Sequence, residues 1–146
     1  MAGGRTGGDD VTPTGYRAYQ KVQVETASPY KWIPMLFREA CISTEMAIEA
    51  IGRKDYPLAN ERLIKAQEIL MELMGALDLR VEIAQNLHQL YAYIHGLLVE
   101  GNVKKDTAVL GQALGMLKEL YETWSAAERS VQAGAATAGG GVSVAR

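Results

Sequence analysis

Between Asp106 and Ser130 the chain reads DTAVLGQALGMLKELYETWSAAERS, and its apolar residues recur at helical spacing along two stripes. Leu110, Leu114, Leu117, Tyr121 and Trp124 form the first stripe, the pattern of a helix docked on its neighbours. One residue earlier, Val109, Ala113, Met116, Leu120 and Ala127 repeat the spacing. A helix facing one core needs only one such stripe. The shared face is thinned by Ala108, Gly111 and Gly115, and each interior glycine costs about 1 kcal/mol against alanine. Tolerating them predicts close approach by another backbone. Two explanations stay open: burial on two sides within a bundle, or a groove that receives a helix or extended segment of a partner.

The remaining helices follow from the same periodicity. Ser28 is a good N-cap and Pro29 suits the first helical position, where its missing N–H costs nothing. The helix begun there runs to about Ile51, with Ile33, Phe37, Ala40, Thr44, Ala47 and Ile51 on one face and Gly52 as its C-cap. Pro34 falls in the second turn and predicts a kink or an irregular start. Asp55 caps a second helix carrying Leu63, Ala66, Leu70, Leu73 and Leu77, with Ile64, Ile69 and Met74 widening the stripe. Ile83, Leu87, Leu90, Ile94 and Leu97 mark a third, ended by Gly101 and Asn102. Asp106 then caps the fourth. Four helices joined by short loops imply an all-α fold, an antiparallel up-down four-helix bundle.

Residues 1–13 are Gly, Asp and Thr with little to bury and are expected to be disordered, as is the Ala/Gly-rich tail over 132–146. The bundle domain is therefore assigned to residues 14–131. Its first part, Tyr16 to Val24, is apolar enough to pack through Tyr16, Tyr19, Val22 and Val24. It is too short to stand as a helix alone and should lie against something as a cap segment.

Charge and composition exclude several functions. Fifteen basic against seventeen acidic residues leave a net of −2, with no basic footprint for nucleic acid. No window is long and apolar enough for a membrane span, and the N-terminus lacks the apolar core of a secretory signal. The single cysteine, Cys41, cannot form an intramolecular disulfide, so a reducing, cytoplasmic location is expected. It lies deep in a helical pattern beside Ala40 and Ile42, where a packed thiol is a better reading than a nucleophile.

The Glu-x-x-His pairs of a di-iron bundle are missing, since Gln85 precedes His88 and Ala92 precedes His95 by three. The two histidines lie two turns, or about 10 Å, apart, too far to share a metal unaided. No Gly-rich phosphate loop or serine elbow is present. No catalytic residue, metal or cofactor is expected. Arg53-Lys54 and Lys104-Lys105 follow alternate helices and so meet at one end, where cations complementing helix C-termini are a better reading than a docking patch for an acidic partner.

The order of motifs resembles the flagellar secretion chaperone family. The matching residues are Tyr16-x-x-Tyr19-Gln20, Val24-x-Thr26-Ala27-Ser28-Pro29 and Met35-Leu36-Phe37, the last where the family usually has Met-Leu-Tyr. Leu63-Ile64-Lys65-Ala66-Gln67 with Glu72-Leu73 follow. Then come Leu90-Tyr91-Ala92-Tyr93, where the family typically reads Leu-Tyr-Asp-Tyr, Leu98-Val99-Glu100, Asn102-Val103-Lys104-Lys105-Asp106 and Thr123-Trp124. The likeness covers about residues 16 to 125.

The resemblance implies a cytoplasmic helical-bundle chaperone that binds the C-terminal segment of flagellin and delivers it to the flagellar export apparatus. It also implies that the tyrosine segment is a movable cap over part of the binding surface. The partner-binding residues expected on this basis are Tyr16, Tyr19 and Val24 in the cap and Val109, Ala113, Met116 and Leu120 on the second stripe. One departure stands out. The family often has Gly-Glu-Leu after Ser-Pro, but Tyr30-Lys31-Trp32 here forgoes a capping box and sets a cation at the positive end of the helix dipole. The competing reading from another class is a structural bundle whose second stripe is a homodimer interface.

Overall fold

The computed structural model describes residues 29–134. They form four helices: α1 (Pro29–Gly52), α2 (Tyr56–Gly75), α3 (Glu82–Lys104) and α4 (Thr107–Gly134). α1 packs on α2 and α4, and α3 packs on the same two, while the diagonal pairs do not meet backbone to backbone. This is the square, antiparallel arrangement that short connections between amphipathic helices enforce. The expected all-α four-helix bundle is the observed fold.

The core is built from the stripes that periodicity marks. Phe37, Ala40, Thr44 and Ala47 of α1 are fully buried, as are Leu63, Ala66, Ile69 and Leu70 of α2. Ile94 and Leu98 of α3 and Leu110, Ala113 and Leu117 of α4 complete it. Thr44 tolerates burial because its hydroxyl donates to the Ala40 carbonyl at 2.8 Å. Across the diagonal only large side chains reach: the rings of Phe37 and Tyr91 meet edge to face with centroids 5.5 Å apart. Ile64 and Ile83, both assigned to apolar stripes, are instead 43% and 53% exposed.

Two helix ends differ from expectation. Gly52 is not the residue that turns the chain out of α1, and α3 does not stop at Gly101 and Asn102 but continues to Lys104. The turning residues are Lys54 (φ 62°) and Lys105 (φ 50°), both left-handed. Asp55 N–H donates to the Ala50 carbonyl (2.8 Å) and Lys54 N–H to that of Ile51 (2.9 Å). Asp106 and Lys105 repeat the pair on Gly101 (3.0 Å) and Asn102 (3.4 Å). Each is a Schellman closure with lysine in the place glycine usually takes.

The aspartate that follows opens the next helix. Asp55 accepts from Leu58 N–H at 3.2 Å, and Asp106 from Ala108 (2.9 Å) and Val109 (3.2 Å). Lys-Asp thus stops one helix and starts another, twice.

Gly101 leaves room for a neighbour rather than serving as a cap. A Cβ there would lie 2.6 Å from Leu110 Cγ, and Leu110 is itself fully buried. By contrast, a Cβ on Gly111 or Gly115 would meet nothing within 4 Å. The close approach expected at those two glycines occurs at Gly101 instead. Pro34 leaves α1 unbroken from Pro29 to Gly52 and is buried.

Candidate binding face on α3 and its flanks

The second stripe of α4 divides between core and surface. Ala113 is fully buried and Leu120 is 8% exposed, whereas Val109 and Met116 are partly buried at its edge. Tyr16, Tyr19 and Val24 lie outside the described residues. Successive residues turn by 100° around a helix, and two contacts fix what lies on either side. Lys118 pairs with Glu45 of α1 at 3.2 Å, and Gln112 Nε2 donates to the hydroxyl of Tyr93 on α3 at 3.3 Å. Val109, Met116 and Leu120 fall on the Gln112 side. The second stripe therefore runs along the seam with α3.

That seam leads to a face that the periodic reading passed over. Between Glu82 and Glu100, α3 contains no Asp, Glu, Lys or Arg. The outward face of a bundle helix is normally its charged one, and α1, α2 and α4 follow that rule. On α3 the exposed positions include Ala92, Tyr93, Gly96 and Val99, with Tyr93 52% exposed. Asn102 Nδ2 donates to Asn60 Oδ1 at 2.9 Å and sets the register with α2. One turn from that bond Ile64 comes level with Val99, and three turns from it Met71 comes level with Ala92. Ile64 and Met71 are also exposed. A neutral, partly apolar band thus crosses from α2 over α3 to Val109 and Met116 of α4. The signal for it is the missing charge, visible in the sequence but invisible to a search for stripes.

The groups that might carry chemistry are occupied structurally. Burial, with Glu45 adding to it and Lys118 opposing, pushes the Cys41 thiol up to about 11, which leaves little thiolate at neutral pH. Tyr91 is buried against Trp124, whose Nε1 donates to its hydroxyl at 3.2 Å. Desolvation raises its phenol to about 12 despite that bond. Trp124 also stacks at a tilt on Tyr30, 6.0 Å away. No group of three metal-ligating side chains exists among the described residues. At the basic end, Arg53 pairs with Glu49 and Lys104 with Glu100, while Lys105 Nζ donates to the Asn102 carbonyl at 2.7 Å. Those cations serve their own helix ends. No described helix is long and apolar enough to cross a membrane.

The fold defines a helical-bundle protein, and its α3 face is the candidate binding surface. Comparison with known proteins gives the particular family. The sequence profile described as "Flagellar protein FliS" matches residues 12–131, and the chain belongs to that family. It is 34% identical over 115 residues to the flagellar secretion chaperone FliS of Bacillus subtilis, covering 79% of this chain and 86% of that one. The Salmonella typhimurium protein of the same name is 33% identical over 120 residues, 77% of this chain and 89% of its own. That of Vibrio cholerae is 31% identical over 114 residues, covering 74% and 84%. The family is one of flagellar export chaperones rather than enzymes.

Proposed function

We propose that the protein is a cytoplasmic chaperone that binds the C-terminal segment of flagellin one-to-one, masks it against premature polymerisation and aids its delivery to the flagellar export apparatus. The observation that carries this reading is the uncharged band across α3, edged by Met116 and Val109 on one side and Ile64 and Met71 on the other. A client without stable structure of its own loses chain entropy on binding, and a long apolar track is what offsets that loss. Ala113 and Leu120 form the floor beneath the α4 edge rather than the contact surface. The tyrosine segment, through Tyr16, Tyr19 and Val24, covers part of the band when no client is present. Masking of this kind is stoichiometric and needs no nucleotide.

Titration calorimetry of the protein against a C-terminal peptide of the same organism's flagellin tests the reading. Saturable one-to-one binding with a negative heat-capacity change, the mark of apolar burial, is the expected result. No heat at high micromolar peptide, with the protein folded, would reject it. A tight dimer by mass in solution would then assign the band to self-association.

A further inference from the structure

Two uncharged stretches meet at one point on the bundle surface. α4 carries no charged side chain between Asp106 and Lys118, just as α3 carries none between Glu82 and Glu100. Near the middle of both, Gln112 Nε2 donates to the Tyr93 hydroxyl at 3.3 Å across the seam, and both side chains are exposed. Val109 and Met116, one turn before and one turn after Gln112, form the partly buried apolar edge beside them. A hydrogen bond between exposed side chains adds little to the stability of a fold, because water competes for both groups. What this bond does is set a direction. A phenol hydroxyl has one proton to donate and two lone pairs to accept with. Gln112 occupies a lone pair, so the Tyr93 proton is left to donate and the Gln112 carbonyl oxygen, Oε1, is left to accept. Among the described residues neither has a partner.

The space over this pair is open as well. Gly96 lies three residues after Tyr93 on α3, and Gly115 three after Gln112 on α4. Both are exposed, and a Cβ on either would meet nothing within 4 Å. A glycine inside a helix is unfavourable against alanine, and nothing within the bundle uses the room these two leave. That room faces outward.

A donor and an acceptor side by side complement a group that offers the reverse. A residue in extended conformation shows its C=O and N–H along one edge, as antiparallel pairing uses them, whereas a helical residue has both bonded within its own helix. We propose that Tyr93 and Gln112 grip the main chain of the client, the phenol donating to the C=O and Oε1 accepting from the N–H of one extended residue. Gly96 and Gly115 let that backbone come close. The inference rests on the chaperone reading above and names one contact within it. Tyr93 binds; Gln112 binds and also positions, because it turns the phenol proton outward. A grip on the main chain fixes where the client lies without demanding a particular side chain there.

The experiment is titration calorimetry of the full chain and its variants against the flagellin C-terminal peptide, with circular dichroism of each protein. Tyr93→Phe keeps the exposed ring and removes the hydroxyl, and should bind about fivefold more weakly, the size of about one net hydrogen bond. In a Gln112→Leu background the same change should lose less than about twofold, since the phenol is no longer held. Gly115→Leu should raise the melting temperature, leucine being the better helix former, and yet weaken binding about tenfold by filling the space above the pair. A peptide with every Asn and Gln replaced by alanine should show the same loss on Tyr93→Phe. If that loss vanished, the pair would hold a carboxamide side chain and the main-chain grip would be overturned. Unchanged binding by Tyr93→Phe or by Gly115→Leu would overturn it too, as would an equal loss in the Gln112→Leu background. No binding by the unaltered chain would be the failure of the chaperone reading itself, and is told apart because no variant is needed to see it.

Discussion

α1 and α3 stand diagonally across the bundle and are built alike up to a point. Each buries one apolar face, each ends in a Schellman closure on a lysine, and each hands over to an aspartate cap. Their outward faces differ. α1 shows Met35, Ile42 and Met46 to solvent, but sets Lys31, Arg38, Glu45 and Glu49 among them. α3 shows Tyr93 and Val99 with no charged residue between Glu82 and Glu100. Apolar exposure alone is ordinary on a protein surface. Loss of charge from an entire helical face is not, and it marks α3 as the helix proposed to bind as well as pack.

The inner faces offer the largest effect. Position 101 of α3 corresponds, through the repeated turn, to position 50 of α1, and positions 110 and 59 correspond in the helices that follow. α1 and α2 use Ala50 and Ala59, both fully buried, where α3 and α4 use Gly101 and Leu110. The same space is divided differently. Gly101→Ala should therefore destabilise by about 3 kcal/mol, because Leu110 has no room to withdraw. Adding Leu110→Ala should make the glycine change nearly neutral, a coupling that a double-mutant cycle in urea would read. Additive losses would show that the two ends are not alternative solutions to one packing problem. On the outward face, Gly96→Ala meets nothing within 4 Å and should stabilise by about 0.5–1 kcal/mol.

Alkali separates the two helices next. Tyr91 of α3 is held neutral up to about 12 in the folded protein against about 10 when unfolded. Its contribution is present below pH 10 and is lost as pH rises towards 12, with a maximum of about 3 kcal/mol. Cys41 of α1, raised to about 11, gives the same sign over a window that opens near pH 9. Melting curves from neutral pH to about pH 11 should fall less steeply for Tyr91→Phe, and for Cys41→Ala should begin to fall later. Tyr91→Phe also removes the acceptor of the Trp124 indole, costing about 1 kcal/mol at neutral pH. Parallel curves for wild type and Tyr91→Phe would mean that the phenol is not buried as described.

The outward faces themselves are compared by Val99→Glu on α3 and Ile42→Glu on α1, which expose similar area. Val99→Glu should weaken flagellin-peptide binding about tenfold, or about 1.4 kcal/mol, and Ile42→Glu by less than about twofold. Equal losses would extend the client path over α1 and dissolve the distinction between the helices.

Most of the architecture behind these tests can be read from residue order. Ser28-Pro29, Asp55 and Asp106 mark helix starts, and the buried leucines fall where a 3.6-residue period puts them. The proposed binding face is less legible because apolar periodicity marks what a helix buries, and Ala113 and Leu120 belong to that. Leu120→Asp accordingly probes the core, whereas Met116→Asp probes the face. Gly101 and Gly111 look alike in sequence, and only the level of Leu110 on the neighbouring helix tells them apart.

The smallest effect tests whether the two lysine turns are equivalent. Lys54 and Lys105 both hold a left-handed backbone that costs an L residue about 1 kcal/mol relative to glycine. Lys54→Gly should therefore stabilise α1's end by about 0.5–1 kcal/mol. At Lys105 the gain is offset, because its ammonium donates to the Asn102 carbonyl at 2.7 Å and to Asn102 Oδ1 at 2.9 Å. Asn102 is nearly buried and bridges to Asn60, so the lysine supports the register on which the α3 band depends. Lys105→Gly should accordingly be neutral or slightly destabilising by chemical denaturation, and Lys105→Met, which keeps the strain and loses the bonds, should be worse than either. If Lys105→Gly stabilised as much as Lys54→Gly, the ammonium would contribute nothing and the register would rest on the Asn60–Asn102 bond alone.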